Sequence, residues 1–227
     1  MHMKRYSMPK DWPLSVKGKV WVGKPMPGPH TERKCITLSI VVRDVLKYTE
    51  NMKETKKLLS EGKVLVDKKP KKEVNFPLGL MDIIEIPDIK DYFRMNINKN
   101  GLFLEKIKPE NADKKLCRIE NKTIIKKGKC QLNLHDGRNL LVDNAKIYNT
   151  GDSIVIQLPD QKIVKHIKLD KNATSMIIDG RNRGLSGKIK DIIERKTLQE
   201  KSRIILDIKG KEVETLKKYV MVIGDFI

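Results

Sequence analysis

Residues 52–67, Met-Lys-Glu-Thr-Lys-Lys-Leu-Leu-Ser-Glu-Gly-Lys-Val-Leu-Val-Asp, change period midway. Met52 to Ser60 reads as a short helix with Leu58 and Leu59 inward; Thr49-Glu50-Asn51 offers capping groups ahead of it and Gly62 supplies the stop. Lys63-Val-Leu-Val-Asp67 then reads as a strand, with Lys68-Lys69-Pro70 as its turn. Upstream, Ile36, Ile40, Val41, Val45 and Leu46 are spaced to share one helical face, which predicts a first helix from Ile36. Downstream, Phe76-Pro77-Leu78-Gly79 reads as a turn and Met81-Asp-Ile-Ile-Glu-Ile86 as a second strand, ended by Pro87. These signals describe two helices packed on a small sheet over residues 36–90.

The flanking text differs. Residues 1–35 are rich in Lys, Arg, Pro and Gly, with isolated Trp12 and Trp21, and the three prolines of Gly23-Lys-Pro-Met-Pro-Gly-Pro-His30 deny helix and ladder hydrogen bonds. They read as an extended basic arm, either disordered alone or ordered by a partner, with the tryptophans stacking on bases or packing beneath it. From 91 to 170 short β-like runs alternate with turn signals: Phe93–Asn96, Leu102–Leu104, Cys130–Leu134, Leu140–Val142, Ile154–Leu158 and Ile163–Ile167, with a helical turn around Pro109 to Cys117. That spacing predicts a small β-barrel. Residues 171–227 repeat it on a smaller scale, with strands at Ser175–Ile178, Lys188–Ile193, Ile204–Ile208 and Tyr219–Ile223 and a Gly-rich loop from Asp179 to Gly187. The expected class is α+β and multi-module.

A formal net charge of +19, from 48 Lys+Arg against 29 Asp+Glu, destabilises a compact monomer unless something anionic offsets it. The surplus is +6 over residues 1–38, +2 over 39–90, +6 over 91–170 and +5 over 171–227. Such an even spread argues against one basic tail on a neutral enzyme and for several modules on a long polyanion, with nucleic acid foremost. No stretch approaches eighteen apolar residues, so a membrane partner is not expected. Cys35, Cys117 and Cys130 form no C-x-x-C pair, which fits a reducing cytoplasm. Met1 to Trp12 lacks the apolar run of a secretory signal, so the start of the chain is expected to belong to the mature protein.

Candidate chemistry does not assemble. His2, His30, His135 and His166 lack i, i+4 pairing or a nearby Cys, so no metal is expected. Gly180-Arg-Asn-Arg-Gly-Leu-Ser-Gly187-Lys188 is not a P-loop, because Asn182 stands where the first Gly is required and Ile189 where a Ser or Thr must reach the metal. His135-Asp136-Gly-Arg138 reads as turn chemistry with an exposed Arg. No catalytic group, cofactor or small-molecule substrate is expected.

The basic constellations sit on predicted elements. Lys53, Lys56 and Lys57 share one side of the second helix, Lys63, Lys68, Lys69, Lys71 and Lys72 surround the following hairpin, and Arg43 and Lys47 lie four apart on the first helix. Either they track a phosphate backbone or they keep a helical surface soluble. Arg181, Arg183 and Lys188 flank glycines whose freedom lets backbone approach a phosphate, unless the loop is a plain β-turn. The arm adds Lys4, Arg5, Lys10, Trp12 and Arg33 to the expected RNA contacts, and the exposed Arg138 of the turn is another.

From Leu38-Ser-Ile-Val-Val-Arg-Asp44 through Gly62–Asp67 to Phe76–Ile86 the chain resembles the α-L RNA-binding fold named after bacterial ribosomal protein S-four. His2-Met-Lys-Arg5, Met8-Pro-Lys-Asp-Trp12, Lys24–His30, Lys115-Leu-Cys-Arg-Ile119, Gln131–Asn139 and Gly151-Asp152 resemble, in order, the archaeal and eukaryotic ribosomal protein S-four-e family. The resemblance spans essentially the whole chain. It implies an arm, an α-L domain, a central barrel and a C-terminal SH3-like barrel of the KOW type (Thr174 to Ile193 its signature), bound to small-subunit ribosomal RNA and neighbouring ribosomal proteins. Where the family commonly has Arg between the loop glycines this chain has Leu185, so the loop carries over only as Arg181, Arg183 and Lys188. Ending at Ile227 implies a compact archaeal form. Two rivals remain: a free RNA-binding translation regulator, and an RNA-modifying enzyme, which would need a catalytic domain that the residues after 90 do not offer.

Overall fold

The computed structural model describes residues 2–125, 128–195, 197, 199–224 and 226. The fold is mostly β with few helices. It divides into two compact units, Met1–Lys115 with Leu158–Asp160, and Leu116–Gln157 with Gln161–Ile227.

The first unit opens with a two-stranded ribbon, β1 (Met3–Lys4) and β2 (Trp21–Val22), and continues into β3 (Ile36–Thr37) and a short helix α1 (Leu38–Ile40). A π-helical turn, Val41–Val45, extends α1, and Lys47 in left-handed conformation (φ 57°) ends it. The helix predicted from Ile36 thus starts two residues late, because Ile36 and Thr37 pair with a strand.

Helix α2 (Met52–Ser60) falls where its pattern places it. Asn51 caps it, with Glu54 reaching back in a capping box, and Thr55 and Leu59 face inward. Then come β4 (Leu65–Val66), β5 (Lys69–Pro70), β6 (Pro77–Leu78), β7 (Ile83–Ile86), β8 (Asp91–Asn98) and β9 (Gly101–Lys106). The hairpin turn is made by Asp67 and Lys68, both at positive φ (50° and 65°), and not by the expected Lys68-Lys69-Pro70, whose last two residues form β5. Pro77 and Leu78, expected in a turn, pair with β3.

The main sheet of this unit has order β5-β4-β7-β8-β9. The expected boundary at residue 90 therefore separates hydrogen-bonded neighbours: Ile83 to Ile86 of β7 face Arg94 to Asp91 of β8, so β8 and β9 extend the first sheet and do not open a barrel. The core gathers Leu38, Ile40, Val41, Leu59, Ile84 and Met95 with Met3, Met8 and Trp12. Residues 1–35 are consequently not a free extended arm; their apolar side chains help fill the first core.

The chain enters the second unit along β10 (Lys114–Ile124), a long strand that went unpredicted, and continues through β11 (Cys130–Leu134), β12 (Asn139–Val142), β13 (Ser153–Gln157) and β14 (Lys162–Ile167), giving the order β12-β11-β10-β13-β14. The predicted helical turn shrinks to Pro109–Asn111. The last sheet, β15 (Thr174–Ile177), β16 (Ser186–Ile193), β17 (Arg203–Ile208), β18 (Lys211–Leu216) and β19 (Val220–Val222), has the order β18-β17-β16-β15-β19 over a core of Ile177, Ile189, Ile204, Leu206, Val220 and Val222. Strand β18 also went unpredicted. Arg118 on β10 joins the two sheets, donating from Nη1 to the carbonyls of Lys218 (2.6 Å) and Val220 (3.0 Å), so the part of the expected module 91–170 that follows Lys115, apart from Leu158–Asp160, shares one unit with residues 171–227.

Candidate nucleic-acid interface

On α2 the inward positions are Thr55 and Leu59, which leaves Lys53, Lys56, Lys57 and Ser60 on the outward face at helical spacing. Lys69 and Lys72 are exposed on and beside the following hairpin. Among the described residues no ion pair holds any of these five lysines, so their ammonium groups remain hydrated and accessible. Lys4, Lys10, Arg33 and Lys47 are likewise exposed, as are Arg181 and Lys188 in the second unit.

Other predicted contacts are committed elsewhere. Lys63 pairs with Glu61 at 2.8 Å, Arg43 with Asp44 at 2.6 Å, and Arg138 with Asp136 at 3.2 Å. Lys68 bridges Glu85 (3.1 Å) and Asp113 (2.7 Å), and Lys71 lies 4.6 Å from the Phe76 ring centroid. Two fail as exposed contacts. Arg5 is buried, and Trp12 is 4% exposed with its Nε1 donating to the Cys35 carbonyl at 2.7 Å, because the first core needs both flat apolar area and a partner for the indole N–H. Trp21 is 57% exposed.

The hairpin that presents Lys69 and Lys72 is held from beneath by a buried charge cluster. Lys115, 1% exposed, donates from Nζ to Asp67 Oδ2 (2.7 Å) and Asp82 Oδ1 (2.6 Å), and the other Asp82 oxygen receives His30 Nε2 (2.9 Å) and the Gly79 N–H (2.8 Å). Asp67 Oδ1 accepts from the Ile83 N–H at 3.0 Å. Burial pushes the Asp82 carboxyl up, but the charges of His30 and Lys115 outweigh it and hold the group below the ordinary carboxylate value. Sequence reasoning missed this cluster, since four residues between His30 and Lys115 carry no local signal.

In the loop between β15 and β16, Gly180 and Gly184 adopt positive φ (91° and 77°), and Arg181 and Arg183 lie between them. A cleft of about 440 Å³ in the second unit is edged by Arg118, Arg195, Lys201, Lys217 and Lys218, with Glu120 and Glu200 beside them. Among the described residues Ile119 and Leu216 give it aliphatic wall. The sequence reading did not single out these cations.

The structure also brings Cys117 to His135 and Asp136, ligand atoms within 4.8 Å of one another, a juxtaposition the scattered histidines did not foretell. Cys117 Sγ donates to Asp136 Oδ2 (3.5 Å), His135 Nδ1 accepts from the Arg118 N–H (3.2 Å), and Arg138 holds Asp136. Cys117 and Arg138 thus both engage Asp136 Oδ2. Burial pushes the Cys35 thiol up to about 12, which leaves it protonated and unreactive.

These features define a mostly β, strongly basic protein whose outward cations suit a polyanion. The family model "Ribosomal family S4e" matches residues 89–163, and the RS4NT domain model matches residues 1–33. The chain is 42% identical over 224 residues to small ribosomal subunit protein eS4 of Methanothermobacter thermautotrophicus, covering 98% of this chain and 92% of that one. It is 40% identical to the eS4 protein of Methanocaldococcus jannaschii, covering 99% and 94%. The crystal structure of 30S ribosomal protein S4e from Thermoplasma acidophilum superposes with a TM-score of 0.73 at 29% identity, over 86% of this chain and 99% of that one. The chain belongs to the S4e family of ribosomal proteins.

Proposed function

We propose that the protein is a structural constituent of the small ribosomal subunit in the cytoplasm, binding ribosomal RNA beside neighbouring ribosomal proteins. The observation that carries this is the row of exposed lysines on α2 and its hairpin, Lys53, Lys56, Lys57, Lys69 and Lys72, which have no ion pair among the described residues, in a chain of net charge +19. Each neutralises a phosphate and releases a counterion. Two helices packed against the β4–β7 sheet support an α-L-type reading of residues 36–90, and the β15–β16 loop with Arg181 and Arg183 supports a KOW-type reading of the last sheet. In both, backbone rigidity aims cations that a disordered tail would scatter.

Replacing Lys53, Lys56 and Lys57 with Gln tests it. Binding to archaeal small-subunit ribosomal RNA should weaken, and the slope of log K against log salt should flatten by about 0.7 to 0.9 for each phosphate no longer neutralised. Affinity and salt slope equal to those of the unaltered chain would overturn the assignment.

A further inference from the structure

The chain has 2 Trp, 5 Tyr and 4 Phe, and among the described residues only Tyr6 (78%) and Trp21 (57%) are exposed; both lie in the β1–β2 segment. The pairing Lys4↔Trp21 and Met3↔Val22 sorts the ribbon by face. Met3 points into the core that also holds Met8 and Trp12, which fixes the ribbon, while Lys4 and Trp21 share the outward face. His2 leans on the indole, ring centroids 5.6 Å apart at 55°, and the Arg5 N–H donates to the Val20 carbonyl at 2.9 Å, closing the ribbon just before Tyr6. Val16 and Val20 add exposed apolar surface. Over residues 2–24 there are six cations (Lys4, Arg5, Lys10, Lys17, Lys19, Lys24) and one acid, Asp11.

We infer that this ribbon is a stacking platform for unpaired RNA bases, with Trp21 and Tyr6 taking base faces and Lys4, Lys17 and Lys19 holding the adjoining phosphates; the inference rests on the RNA-binding reading above. Exposed aromatic area on an anchored element calls for a partner, and its cationic surround selects a polyanion over an apolar protein face. A paired helix hides its base faces, so the partner must be single-stranded: a loop, bulge or end.

The test titrates the full chain with a short oligouridylate and, separately, with a fully paired RNA duplex at low salt. Trp12 is shielded in the core, so quenching of tryptophan emission by the oligouridylate reports on Trp21. Trp21→Ala should bind the oligouridylate roughly ten-fold more weakly, Trp21→Phe should keep most of the affinity without the quenching, and duplex binding should not change. If the chain holds the duplex but Trp21→Ala leaves oligouridylate affinity intact, the platform alone is overturned. The platform also falls if the unaltered chain forms a dimer that Trp21→Ala dissolves, since the surface then belongs to a protein contact. Binding to neither RNA would overturn the RNA reading as well.

Discussion

Lys115 carries an ammonium group into a site 1% exposed, tolerable only because two carboxylates meet it at 2.7 and 2.6 Å. Replacing it with Met leaves Asp67 and Asp82 facing each other without their cation, and should cost about 3 to 5 kcal/mol of unfolding free energy in denaturant titration. Because the Asp82 carboxyl is held below its unfolded value of 3.8, its contribution is fully present above that pH and lost as pH falls through the folded value. Acid titration of the native protein should therefore show a stability loss starting near pH 4 that is smaller in Asp82→Asn, where only the other lowered carboxylates, such as Asp91 and Asp191, still contribute. Trp12→Phe keeps the apolar contact but orphans the Cys35 carbonyl; about 1 to 3 kcal/mol should be lost, with RNA affinity unchanged.

At the level of elements, Gly187 on β16 lies against β17: a Cβ there would sit 2.3 Å from the Asp207 carbonyl oxygen. Gly187→Ala should force β16 and β17 apart and lower the melting temperature, whereas Gly210→Ala, with open space around it, acts only through its positive φ (80°). How far elements were legible follows from where their information is held. Helix α2 and strand β11 were read at their observed bounds because cap, stop and alternation are local. Strand β10 was not, because Lys115 and Arg118 break its apolar pattern and are buried only through distant partners. The Asp67–Lys68 turn was missed because neither residue is glycine or asparagine. Strands β8 and β9 were recognised but assigned to the wrong sheet, since alternation marks a strand without naming its neighbour. Of the expected RNA contacts, the α2 lysines follow from helical geometry, while the burial of Arg5 and Trp12 depends on a core that no short window of sequence displays.

For the molecule as a whole, a net charge of +19 is a standing repulsion that a polyanion relieves. Added ribosomal RNA fragments should raise the melting temperature at low salt by mass action, and the gain should shrink as salt rises; a melting temperature indifferent to RNA would contradict the charge argument. The division of the chain has a further consequence. Leu158–Asp160 belong to the first unit, where the Leu158 N–H donates to the Asp113 carbonyl at 2.8 Å, although Leu116–Gln157 belong to the second. A nascent polypeptide emerging from its N-terminus thus cannot finish one half before starting the other. The earlier half receives its last piece only after most of the middle strands have left the exit tunnel, so the two mature as overlapping events during synthesis.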